Sequence, residues 1–107
     1  MILSLGCTLP INGFRIKNTH NHNLHNAGTK AFSIFISEKP EGPWEKVLNA
    51  SLKDARNVSP VPIETFNLPN KVSAKYVMFQ VDSYYGAHGG LQYLSPFGND
   101  VENEGKN

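Results

Sequence analysis

The sequence predicts an all-β domain. Apolar and polar residues alternate in several short runs, and no window of about eleven residues carries the three-to-four spacing of an amphipathic helix. Turn formers separate the runs, at Lys39-Pro40-Glu41-Gly42-Pro43, at Pro60-Val61-Pro62 and at Pro69-Asn70.

Taken in order, Phe14 and Ile16 alternate with Arg15 and Lys17, the pattern of a half-buried strand. Ala31 to Ser37 places Phe32, Ile34 and Ile36 on one face. A third run begins at Trp44, itself expected in the core, and carries Val47, Leu48 and Leu52. The fourth is Phe66 to Leu68, expected to stop at Pro69-Asn70. Tyr76 to Val81 is the most apolar stretch, with Val77, Phe79 and Val81 opposite Tyr76 and Met78, so a central strand covered on both sides is expected. Leu91 to Leu94 is the last strand.

Composition bounds the function. At 107 residues, with 39% hydrophobic and 18% charged, the chain fits one modest globular core. Ten Lys and Arg against nine Asp and Glu leave a net charge of +1, too little to neutralise a nucleic-acid backbone. The cations are scattered, and no apolar stretch approaches the ~20 residues that span a bilayer. Loop tips such as Leu24 are too few and too small for membrane insertion. Met1 to Gly6 lacks the basic and apolar segments of a signal peptide, so no export is expected from this chain alone. A single thiol, Cys7, can form neither an internal disulfide nor a Cys-based zinc site, and reads as a small buried apolar residue.

The connections hold the chemistry. Asn18 to Gly28 packs three His and four Asn into eleven residues, and Lys53 to Pro62 is a second polar connection. Ser83 to Gly90 sets two tyrosines among glycines. Residues 98–107 form a polar tail after a domain over 1–97.

Leu3-Ser4-Leu5-Gly6, Gly13 to Asn18, Gly28-Thr29-Lys30 before Phe32, and Gly42 with Trp44 and Val47 resemble the coagulation factor V/VIII type C, or discoidin, domain. Ala74 to Phe79, Ser83-Tyr84-Tyr85-Gly86 and Gly89 to Tyr93 resemble the closing strands of that family in order and spacing. The resemblance implies a galactose-binding-like jelly-roll β-sandwich whose loops at one end bind carbohydrate or cell-surface proteins outside the cell. It also implies an N-terminally truncated domain, because family members usually carry opening strands before the one that starts here at Leu3. Their loss would leave an unpaired edge open to a second copy. The structural calcium of some members is not expected, since Ser95 follows Leu94 where they have Glu. Met78 stands where the family often has Arg.

No Gly-x-Ser-x-Gly elbow, phosphate loop or His-Glu metal motif occurs, and Asp54 and Asp82 are isolated carboxylates, so a non-catalytic module without a cofactor is expected. A sugar asks for a ring to stack on and polar groups for its hydroxyls. Tyr84 and Tyr85 are candidate rings, one of them expected to belong to the framework. Asn18, His20, Asn21, His22, His25 and His88 are candidate polar contacts. Two other readings stay open: a structural or self-associating module without a small ligand, and a metal site at His20, His22 and His25. Asn49-Ala50-Ser51 and Asn57-Val58-Ser59 would be glycan acceptors in a secreted chain.

Overall fold

The computed structural model describes residues 1–18, 28–54, 60–86 and 90–98. Five strands, β1 (Ile2–Asn18), β2 (Ala31–Ser37), β3 (Glu45–Ser51), β4 (Ile63–Val81) and β5 (Leu91–Phe97), form one antiparallel sheet in the order β3-β2-β4-β1-β5. Among the described residues there is no helix.

The sheet folds over on itself, and the ring contacts require it. Phe66 and Phe79 lie thirteen residues apart on β4, about 43 Å along a straight strand. Both nevertheless reach the Phe32 ring, at centroid distances of 5.3 and 5.2 Å. A straight β4 of 19 residues would run about 63 Å, well beyond the longest molecular extent of 38 Å. One half of the sheet is therefore β3, β2, the end of β4 and the start of β1. The other half is the start of β4, the end of β1, and β5. Phe14, Ile16, Phe32, Ile34, Ile36, Val77 and Phe79 fill the space between them.

Two opposed irregularities accompany the fold-over. From Ser4 to Leu9, β1 advances five residues while β4 advances two, from Tyr76 to Ala74. From Ile11 to Gly13, β1 advances two while β4 advances five, from Val72 to Asn67. Each strand thus loops out three extra residues, and the register lost at the first site is restored at the second. Gly13 sits where the restored strands close in: a Cβ there would collide with the Phe66 carbonyl and lie 2.7 Å from the Phe97 ring.

The structure corrects several expectations. Pro69-Asn70 does not end a strand, because β4 loops out there, where no ladder bond asks for the missing Pro N–H. Phe66 to Leu68 and Tyr76 to Val81 are accordingly one strand, and it lies mid-sheet as expected of the second stretch. Val77 and Phe79 are buried, but Val81 is 39% exposed because nothing described covers that mouth of the core. Cys7 is exposed, carried outward by the β1 loop-out. Trp44 is half-buried and walls an open hollow of about 290 Å³ with Gly42, Pro43 and Glu45.

Candidate functional site

The ends of four strands and the segment after β3 are tied together at one place, and a buried asparagine does most of the tying. Asn18, the last residue of β1, is 1% exposed. Its Nδ2 donates to the Thr29 carbonyl at 2.8 Å and to the Lys53 carbonyl at 3.0 Å, while its Oδ1 accepts from the Thr29 N–H at 3.0 Å. The Thr29 hydroxyl donates to the Gly90 carbonyl at 2.6 Å. The Asn18 amide therefore stands in for a strand partner where β1 stops. Its amide, expected among the ligand contacts, is here turned to the backbone of Thr29 and Lys53.

The two tyrosines diverge. Tyr85 is locked: its hydroxyl donates to the Leu52 carbonyl at 2.9 Å, its N–H donates to the Gly28 carbonyl at 2.8 Å, and Lys30 Nζ stands 5.9 Å from its ring centroid. That is the framework role expected of one of the pair. Tyr84 forms a β-bridge with Thr29, yet its side chain is 51% exposed. It borders an open hollow of about 380 Å³ with Met1, Phe79, Val81, Gly90 and Leu91. The described flanks of the Asn18–Gly28 and Ser83–Gly90 segments thus meet, at Asn18, Thr29, Tyr84 and Gly90. His20, Asn21, His22, His25 and His88 lie outside the described residues, as does Asn57. No three His, Cys, Asp or Glu side chains come together among the described residues.

A polar network that sequence pattern did not reveal covers the outer face of β2, β3 and β4. Asp82 accepts from the Ser33 hydroxyl at 2.6 Å, from Gln80 Nε2 at 2.7 Å and from Asn49 Nδ2 at 3.3 Å. The hydrogen bonds from Ser33 and Gln80 hold its carboxyl below the usual carboxylate range, against a smaller opposing effect of desolvation. The register pairs Ser33 with both Asn49 and Gln80, so the row could be found only once the strand order was known. Asn49 is accordingly committed to Ser33, Asp82 and the Phe32 carbonyl through Nδ2.

No family model and no curated protein matches this chain.

Proposed function

We propose that the chain is a non-catalytic binding module of the discoidin-like jelly-roll type, acting outside the cell and recognising carbohydrate or a cell-surface ligand at the Tyr84 end. The observation that carries this is the contrast within the tyrosine pair. Tyr85 and Asn18 use their polar groups to hold the framework, while the Tyr84 ring, pinned at its backbone to Thr29, stays open beside a hollow. A ring held on a rigid frame loses little entropy when a sugar face stacks on it. Apolar walls from Phe79, Val81 and Leu91 suit the C–H face of a pyranose, and the Gly90 and Thr29 backbone beside them is braced from below.

A glycan array followed by calorimetric titration of the best sugar tests the reading. Tyr84→Ala is expected to weaken binding about fivefold or more with an unchanged circular dichroism spectrum. A parent chain that retains no glycan, or a Tyr84→Ala variant that binds as well as the parent, overturns it.

A further inference from the structure

We propose that the outer face of β4, β1 and β5 carries a site for an acidic glycan, with Arg15 and Lys17 receiving its sulfate or carboxylate and Tyr93 the neighbouring sugar ring. None of these three side chains borders the hollow beside Tyr84.

Strand parity assembles the face. Phe14 and Ile16 are buried in the core, so Arg15 and Lys17 both stand outside it, about 7 Å apart along β1. Register supplies their neighbours. Arg15 lies between Thr65 of β4 and Ser95 of β5, and Lys17 lies between Ile63 and Tyr93. The charge here has one sign. β1 and β5 contain no Asp or Glu, and the one carboxylate of β4, Glu64, pairs with buried Ile16 and accepts the Lys53 N–H at 3.0 Å. Among the described residues neither cation has an ion-pair partner or a hydrogen-bond acceptor.

The guanidinium is also held in place. Gly13 has no Cβ, which leaves room for the Phe97 ring, and the Arg15 guanidinium carbon stands over that ring at 4.4 Å from its centroid. A guanidinium seated over a ring is restrained yet spends no N–H on an oxygen, so its fork remains for two oxygens of one carboxylate or sulfate. Thr65, exposed in the same row, adds a hydroxyl. Ring and charge together select the occupant. Tyr93 is 43% exposed across from Lys17, so a sugar whose oxyanion rests on the cations can lay its C–H face towards that ring. Two cations neutralise only two phosphates, too few to hold a nucleic-acid strand at physiological salt.

Calorimetric titration with a heparin oligosaccharide, a hyaluronate oligosaccharide and a single-stranded oligonucleotide, with circular dichroism of each variant, tests the site. Heparin is expected to bind, more weakly as salt rises from about 50 to about 200 mM. Hyaluronate binding as tightly as heparin assigns the carboxylate, and heparin alone assigns the sulfate. Arg15→Gln is expected to weaken heparin at least about tenfold, and Arg15→Lys, which keeps the charge and loses the fork, about fivefold. Lys17→Gln and Tyr93→Ala are each expected to cost about threefold or more, and they keep the test open if Arg15→Gln does not fold. Lys46→Gln, on the outer face of the other layer, is expected to bind as the parent does. Binding of neither glycan, an oligonucleotide bound as tightly as heparin, an unaffected Arg15→Lys, or an equal loss in Lys46→Gln each overturns the proposal. Tyr84→Ala is expected to keep heparin binding, so failure at the Tyr84 end and failure at this face are told apart.

Discussion

The two halves of β1 make an instructive pair. Ile2 to Leu9 reads Ile-Leu-Ser-Leu-Gly-Cys-Thr-Leu and is the more apolar half, yet its Ile2 and Leu9 are largely exposed. Gly13 to Asn18 holds Arg15 and Lys17, yet Phe14, Ile16 and Asn18 are buried at 1% exposure or less. What separates them is lateral company. The second half has β4 on one side and β5 on the other, and the first has β4 only. Burial here follows the number of neighbouring strands more closely than it follows hydrophobicity.

The largest expected effect breaks that comparison most directly. Phe14→Ala removes a fully buried ring and should lower stability by about 3 to 5 kcal/mol, whereas Ile2→Ala on the monomer should change it by no more than about 0.5 kcal/mol. Denaturant melts of the two variants at low protein concentration decide it; equal losses would mean that both halves of β1 are enclosed. Next comes the brace at the end of the buried half. Asn18→Ala leaves the Thr29 and Lys53 carbonyls and the Thr29 N–H without this partner, at a cost of about 2 to 3 kcal/mol. The same melts measure the loss, amide exchange at Thr29 should quicken in parallel, and a neutral variant would contradict the brace.

The smallest effect concerns the layer to which the exposed half of β1 belongs, where Asp82 ties three strands on the outer face. Its folded carboxyl releases its proton more readily than the unfolded chain does, so its contribution is present above about pH 4 and is lost as pH falls through that value and on to its lower folded pKa. Asp82→Asn should therefore flatten the fall in Tm below about pH 4. An acid limb as steep as the parent's would show that the network adds nothing.

Strand existence was legible wherever one face alternated cleanly: Ala31 to Ser37 is β2 residue for residue, and β5 begins at Leu91 as the pattern indicates. The union of Phe66–Leu68 with Tyr76–Val81 was not, because a proline reads as a stop unless the chain loops out around it. Along β4 the inward positions also change parity, from Phe66, Leu68 and Ala74 to Val77 and Phe79, opposite the loop-out of β1. A period-two reading has no means of anticipating that shift. At the candidate site, the framework role of one tyrosine could be expected from its place in the chain. The burial of Asn18 could not, since an asparagine amid polar neighbours looks like any exposed loop residue until the carbonyls it serves are brought to it from Thr29 and Lys53.

The cancelling loop-outs of β1 and β4 have a practical corollary. Because pairing resumes in the same register on either side of the two together, the chain can lengthen within a loop-out without any ladder pair being exchanged. Pro69 and Asn70 are both exposed in the β4 loop-out, mid-strand, whereas the Tyr84 segment follows the end of β4 at Val81. An affinity tag or a fluorescent reporter spliced between them would ride on the fold as a passenger, giving a handle for immobilising the protein with the Tyr84 end unobstructed.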